Sequence, residues 1–328
     1  MNVPPEEYRT IEAPRLRDFA RDCLAAAGLR RDHAAQIAEL LANSEVRGVR
    51  SHGLRLLNGY VRFLQNGDIN PAPEVAEVQE TATSVLVDAD GGFGYVPMMA
   101  ATERAIGKAR EQGMASGAVR HMGHYGAAGH YVRRAVEAGF FAFSVQGAHP
   151  DFERKRHLRL PAAYWGNPPF CFGLPAGDEP AVILDGGTTL MADCRDDDLQ
   201  DRIPAAFFKS MGLTAVATAL GGAFVGQSSP RTDGDGRTWR GGGNGGCILV
   251  VDIGLHVEAQ EFRAGVDHLV RGVRETMAPV GGHERADLPG GVEARLEARY
   301  RSEGVPVGVE DLTQLAETAA AVGIAPLA

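Results

Sequence analysis

The sequence predicts an α/β fold with helical segments at both ends, and three observations carry that prediction. Apolar residues recur at helical spacing through residues 1–80, short apolar runs alternate with helical patterns over 81–255, and helical spacing returns over 256–328. We take these limits as the segment boundaries. In the first segment Leu16, Phe19, Ala20, Cys23, Leu24 and Ala27 share one helical face, and Gly28 follows as a stop. Asp32 is placed to cap a second helix with Ile37, Leu40, Leu41 and Ser44 inward. Leu54, Leu57, Val61 and Leu64 mark a third helix that ends at Asn66-Gly67.

In the middle segment, strands are expected over 84–88, 116–120, 140–145, 181–185 and 247–252, and helices over 97–112 and 127–138, stopped by Gly113 and Gly139. Residues 213–220 fit either state, because their alanines favour helix while their threonines and valines favour strand. In the last segment Phe262, Val266, Leu269, Val270 and Val273 share a helical face, followed by helices over 292–302 and 311–322.

Composition narrows the class. The 328 residues are 44% hydrophobic and 23% charged, as in soluble globular proteins. No apolar run approaches the ~20 residues of a membrane span, and the first residues lack a basic-then-apolar signal pattern, so a cytoplasmic location is expected. Cys23, Cys171, Cys194 and Cys247 lie far apart with no paired spacing, which predicts buried thiols and neither disulfides nor a metal site. A formal charge of −9 argues against nucleic acid as a partner.

The residues that can do chemistry are centred on histidine. Neither a G-x-G-x-x-G dinucleotide fingerprint nor a P-loop is present: Gly91-Gly92-Phe93-Gly94 and the glycines of 123–129 have the wrong spacing. Arg47-Gly48-Val49-Arg50-Ser51-His52-Gly53-Leu54-Arg55 sits at a corner between helices, where free N–H groups of a helix start offer a place for a carboxylate or phosphate. His52 is either a loop or capping histidine or a proton donor. Arg55 is either a surface ion-pair partner or a bidentate carboxylate clamp. His124 either packs the Tyr125 loop or joins in proton transfer, and Asp185 either caps the next turn or serves a cofactor or histidine. A basic cluster over 148–159 reads as a solvated loop or a seat for an extra acidic group.

Taken together, the motifs carry a resemblance. Arg47 to Arg55 resembles the R-G-x-x-S-H-G-x-x-R signature of the second malate/L-lactate dehydrogenase family. Val119-Arg120-His121-Met122-Gly123-His124-Tyr125-Gly126-Ala127-Ala128-Gly129 is similar to its V-R-x-x-N-H-F-G-A-A-G, and Gly166-Asn167-Pro168 to its G-T-N-P. Residues 182–192 are similar to V-L-D-M-A-T-S-x-x-A, and Lys209-Ser210-Met211-Gly212-Leu213 to K-G-Y-G-L, which makes 213–220 a helix. The chain departs from the pattern in a short linker before Lys209, in Ser210 for glycine, in Gly123 for asparagine, in Gly166 for threonine and in Gly291 for the glutamate of P-G-E.

The resemblance implies a three-layer core outside the usual doubly wound type, with a mixed sheet flanked by helices and a C-terminal segment that returns to the N-terminal one. It further implies a homodimer, no membrane, and a reaction that moves hydride between NAD or NADP and a small 2-oxo or 2-hydroxy acid. Reduction of a cyclic imine at the same site, or a non-catalytic descendant, are the alternatives. By position, His52 and His124 are the catalytic residues, and Ser51, Arg55 and Arg47 bind the carboxylate substrate. Asn167, Asp185, Gly186, Thr188, Thr189, Lys209, Ser210, Pro289 and Gly290 hold the cofactor. Lys209 is one of only three lysines, with Lys108 and Lys155, in an arginine-rich chain, and a compact ammonium suits a pyrophosphate.

Overall fold

The computed structural model describes residues 3–148, 167–189, 201–227 and 238–328. The basic stretch after Ala148, Gly166, residues 190–192 and Cys194 lie outside the described residues. In chain order the elements are β1 (Tyr8–Ile11), α1 (Ala13–Ala26), α2 (Arg31–Val46), two 3-10 turns (Arg50–His52 and Leu54–Leu56), α3 (Leu57–Gln65), β2 (Ala76–Glu80), β3 (Ser84–Asp88), α4 (Tyr95–Gln112), β4 (Met114–Met122), α5 (Gly129–Glu137) and β5 (Phe141–Ala148). There follow β6 (Pro169–Leu174), β7 (Val182–Gly187), α6 (Pro204–Gly221), β8 (Asn244–Val251), α7 (Ala259–Thr276), α8 (Gly291–Glu303), β9 (Val305–Gly308) and α9 (Val309–Ala321).

Two units divide the chain: Met1–Pro73, Leu174–Ile183 and Ile253–Ala328 form the first, Glu74–Gly173 and Leu184–Asp252 the second. The boundary expected at 80/81 moves to 73/74 because β2 pairs antiparallel with β3. Residues 174–183 leave the expected core segment for the first unit, where the N–H groups of Gly177, Asp178 and Glu179 close on the Asp267 carboxylate at 2.9, 3.0 and 3.2 Å.

Within the first unit, α1 and α2 pack through Leu16, Leu24, Ile37 and Leu41, all fully buried. The second helix starts differently from expectation. Arg30 is its N-cap, without a side-chain cap, and Asp32, two residues on in the first turn, takes the Arg30 guanidinium at 2.7 and 2.5 Å. The nine-residue α3 is too short to persist alone. Its buried face, Leu57, Tyr60, Val61 and Leu64, packs toward α1 and α9, each side chain contributing roughly 1.5–3 kcal/mol. The two ends of the chain are joined by β1 and β9, antiparallel with Ile11 opposite Val305 and Tyr8 opposite Gly308.

The second unit carries the seven-stranded sheet in the order β2-β3-β4-β8-β5-β6-β7. Only β3 and β4 of its registered pairs run parallel; β2/β3, β4/β8, β8/β5 and β5/β6 are antiparallel. The helices lie on both faces, as two glycines demonstrate. A Cβ on Gly117 would stand 2.4 Å from the Ala101 carbonyl of α4, and one on Gly147 would stand 2.6 Å from the Ala217 carbonyl of α6. Gly117 pairs with Ile248 and Gly147 with Gly245, an odd separation along β8, so α4 and α6 cover opposite faces. The sheet is therefore the middle of three layers, and α6 is the helix that the ambiguous 213–220 belongs to.

One expectation needs correction. Residues Pro204–Val225 are long and apolar enough, by length and composition, to cross a membrane. Here Ser210, Thr214 and Thr218 lie on the buried face of α6, which packs on β5, and Ser210 and Thr214 bond the Thr188 carbonyl and hydroxyl at 2.7 and 3.0 Å.

The close approach of α6 to β5 predicts that Gly147→Ala lowers stability by roughly 1–3 kcal/mol, because backbone must move to admit the methyl. Chemical denaturation of the two proteins measures this, and equal midpoints would contradict the contact.

Candidate functional site

The Arg47 to Arg55 corner is built over a buried carboxylate. After α2 ends, Gly48 N–H bonds the Glu45 carbonyl at 2.9 Å and Val49 N–H the Ser44 carbonyl at 2.9 Å, turning the chain back. Glu45, only 5% exposed, then accepts the Leu54 N–H at 2.7 Å. Gly53 passes directly beside it, and a Cβ there would come within 2.1 Å of the Glu45 Oε1. Glycine is required at this place by space. The backbone N–H at the start of the second 3-10 turn, expected to await a ligand's anion, is thus already held by the protein's own carboxylate. Burial pushes the Glu45 carboxyl up to about 7, opposed by the Leu54 N–H; nearby Asp311 raises it further, while Arg50 and Arg55 lower it.

Ser51 and His52 project from the first 3-10 turn with Ser51 Oγ 3.0 Å from His52 Nδ1. Ser51 is exposed and His52 half-buried. The three arginines are engaged within the same unit. Arg47 pairs with Glu297 at 2.6 Å and bonds Asn43 at 2.9 Å, Arg50 reaches the Val3 carbonyl, and Arg55 sets its fork on Asp311 at 2.8 and 3.0 Å. The clamp expected of Arg55 is therefore turned onto Asp311. Spacing gives the reason. The signature places its last arginine three residues after the S-H-G glycine, which is Leu56 in this chain, whereas Arg55 is two residues after Gly53 and faces α9.

In the second unit a separate cluster forms at the C-terminal ends of the parallel pair β3/β4, the edge where ligands of α/β sheets are bound. Two loops interlock there: Gly91 N–H bonds the His121 carbonyl at 2.9 Å, Gly123 N–H the Gly92 carbonyl at 2.7 Å, and Gly94 N–H the His124 carbonyl at 3.1 Å. His121 has φ +53°, the left-handed region that costs a residue with a side chain. Its N–H is tied to Gln227 Oε1 at 2.6 Å and its Nδ1 to Asp88 Oδ2 at 2.9 Å. The same Oδ2 accepts Arg120 Nε at 3.1 Å, and Oδ1 accepts the Asp90 N–H at 3.0 Å. Burial pushes the Asp88 carboxyl up, but the bonds from His121, Asp90 and Arg120 outweigh it and hold its pKa at about 2. His124, half-buried, lies three residues along the same loop.

The residues expected around a cofactor fall into two groups. Asn167, Asp185, Gly186, Thr188, Thr189 and Ser210 come together in the second unit. Asn167 Oδ1 accepts the Thr189 N–H at 2.8 Å, Thr188 Oγ1 donates to the Pro168 carbonyl at 2.9 Å, and Ser210 Oγ to the Thr188 carbonyl at 2.7 Å. Asp185 Oδ2 accepts the Gly129 N–H at the start of α5 at 2.7 Å, close to the Arg133 guanidinium, whose buried Nε has no hydrogen-bond partner. Lys209 is exposed on α6. Pro289 and Gly290 lie in the first unit against the start of β7, the Pro289 carbonyl accepting the Ile183 N–H at 2.8 Å, and Glu293 reaches back to the Gly290 N–H at 3.1 Å. Among the described residues no three His, Cys, Asp or Glu side chains gather as a metal site.

Residues 11–195 match the family model described as malate/L-lactate dehydrogenase, more than half of the chain. The chain belongs to the malate/L-lactate dehydrogenase family. Ureidoglycolate dehydrogenase (NAD(+)) of Escherichia coli is 26% identical over 93% of this chain and 94% of its own length. Malate dehydrogenase from Pyrococcus horikoshii shares the fold with a TM-score of 0.81 at 22% identity, covering 98% of each chain. A delta1-piperideine-2-carboxylate reductase from Pseudomonas syringae does so with a TM-score of 0.73 at 24% identity, covering 95% of this chain and 100% of the other. This malate/L-lactate dehydrogenase family member is accordingly an oxidoreductase, and its three-layer core with a mixed sheet is that of its relatives.

Glu45, Asp311, Asp88, Arg120 and His121 were not singled out by sequence reasoning. Arg120 and His121 stood inside a recognised motif, and Asp88 ended an expected strand; Glu45 and Asp311 gave no local signal.

Glu45 keeps its proton to about pH 7 in the folded protein and loses it near its ordinary value of 4.5 in the unfolded chain. Its neutral form favours folding, so this contribution is full below the unfolded value and lost as pH rises to about 7, a change of a few kcal/mol. Thermal melts should therefore show the wild type losing stability relative to Glu45→Gln between pH 5 and pH 8. A constant difference across that range refutes the assignment.

Proposed function

We propose that this protein transfers hydride between NAD or NADP and the carbonyl carbon of a small 2-oxo acid, the reverse step oxidising the 2-hydroxy acid. The observation that carries the reading is the Ser51–His52 pair on a corner fixed from beneath by Glu45, within a family of dehydrogenases and reductases. The bound nicotinamide supplies the hydride. In the reducing direction the His52 imidazolium donates its Nδ1–H to Ser51 Oγ and passes its Nε2 proton to the carbonyl oxygen as hydride reaches the carbon, leaving a neutral imidazole that solvent reprotonates. His124, on the loop locked to the Gly91-to-Gly94 turn, assists in proton transfer or orients the substrate.

The residues present fit a dinucleotide. Arg133 Nε is a buried donor without a hydrogen-bond partner beside the first turn of α5, and a Cβ on Gly186 would meet nothing within 4 Å, so backbone there is open to close approach. Asn167, Asp185, Thr189, Lys209 and Ser210 of the second unit would hold it. The named activity of the Escherichia coli relative supports NAD, and Lys209 suits a pyrophosphate with either dinucleotide. The piperideine-carboxylate reductase relative makes a cyclic imino acid the electrophile to set against its oxo-acid analogue.

We read the protein as a soluble, cytoplasmic homodimer. Support comes from α6 and the turn after it, which leave Phe208, Val216 and Phe224 71%, 55% and 66% exposed, an apolar surface suited to a second copy. Light scattering should give twice the chain mass for the wild type and the single chain mass for a Phe208→Glu, Val216→Glu variant; a monomeric wild type refutes the dimer.

His52→Ala should lower kcat about 10²- to 10⁴-fold while NADH or NADPH affinity, read by fluorescence titration, stays within twofold. Unchanged turnover with a panel of 2-oxo acids and cyclic imino acids removes His52 from the reaction.

A further inference from the structure

A small oxo acid needs a partner for its carboxylate, and the first-unit arginines offered for that task are engaged elsewhere: Arg47 on Glu297, Arg55 with both fork nitrogens on Asp311. Arg120 differs. Its side chain bonds Asp88 through Nε at 3.1 Å, which leaves the two Nη groups, the edge that grips carboxylates in parallel, without a partner among the described residues. The side chain is 31% exposed, and Gly226 is the glycine beside Nη1, a Cβ there lying 3.8 Å away. His121 shares the same acceptor oxygen through Nδ1 at 2.9 Å, so its Nε2 is carried on a ring held next to the guanidinium.

Three further features mark a built arrangement. Asp88 is 7% exposed, and one of its oxygens accepts both Arg120 Nε and His121 Nδ1. His121 is fixed at φ +53° by Gln227, itself 1% exposed, a strained conformation retained where the imidazole's direction matters. The cluster stands at the C-terminal edge of the parallel strands, on the loop that also carries His124.

We propose that Arg120, seated beside His121 on Asp88, grips the carboxylate of the 2-oxo acid, with His121 Nε2 as the neighbouring contact. This rests on the oxidoreductase reading given above. A guanidinium fork matches a planar carboxylate in two parallel bonds, and Asp88 fixes its plane in advance, so less freedom is lost on binding. A carboxylate is favoured over a dinucleotide phosphate because the cluster adjoins His124, a proton-transfer candidate.

The test is calorimetric titration with oxamate, a one-carboxylate isostere of a 2-oxo acid, with and without NADH, on the wild type, Arg120→Gln and Arg120→Lys. Oxamate affinity should fall about 10- to 100-fold in Arg120→Gln and less in Arg120→Lys, which keeps charge without the fork, while NADH affinity is unchanged. In Arg120→Ala, added guanidinium chloride should restore part of the oxamate binding, which loss of fold would not permit. Wild-type oxamate affinity in Arg120→Gln with native circular dichroism overturns the proposal, as does a wild type that binds NADH but no oxamate. A fall in NADH affinity without oxamate present also overturns it, by assigning the guanidinium to a phosphate. A wild type that binds neither NADH nor NADPH refutes the oxidoreductase reading itself, and oxamate titrated without dinucleotide then still decides for or against Arg120.

Discussion

The buried Glu45 carboxylate governs the first unit's functional corner. It sits where a helix-to-helix turn would otherwise present bare N–H groups, and it holds the Leu54 N–H while Gly53 passes with no room for a side chain. A carboxylate in that position, given one backbone bond and an acidic neighbour in Asp311, is costly when ionised, and its raised pKa expresses the cost. Asp88 in the second unit is the opposite case. It too is buried, but three donors from His121, Arg120 and Asp90 more than offset desolvation and keep it ionised. One carboxylate shapes a turn and consumes its capacity to bind anions; the other seats a guanidinium and an imidazole, and the guanidinium's two Nη groups have no partner among the described residues.

Much of the fold was legible in the sequence because helices and buried strands write their burial as spacing. The faces of α1, α3 and α7 and the strands β3, β5 and β8 follow from apolar periodicity, and the glycines after α4 and α5 mark their ends. What escaped has identifiable causes. All five residues of β2 are exposed, so no alternation is present to read, and β6 and β9 contain proline, which argues locally against a strand. The start of α2 differs because the helix begins at Arg31, one residue before Asp32, which places Asp32 inside the first turn with the Arg30 guanidinium on its carboxylate.

The site was legible as motif and illegible as pairing. Spacing along the chain located His52, His124 and the Asp185 to Thr189 segment, but the partners that decide what each charged group can do lie far away in sequence: Glu297 for Arg47, Asp311 for Arg55, and Gly129 for Asp185. Arg55 is the instructive residue. Two positions from Gly53 its guanidinium falls on α9, and one residue of register converts an expected ligand clamp into an internal ion pair, half-exposed and contributing on the order of 1 kcal/mol or less.

Charge balance explains why such pairings are the rule and what an exception means. With 42 acidic residues against 33 basic ones, nearly all of the latter arginine, a fork placed at random meets a carboxylate of the same chain. Surface arginines such as Arg134 on Glu103 and Arg301 on Glu297 are satisfied in this way. At Asp88 one oxygen takes two side-chain donors, Arg120 Nε and His121 Nδ1, and the guanidinium keeps its two Nη groups for another acceptor. The parallel-strand edge on which Arg120 and His121 stand is where a substrate can bring that acceptor.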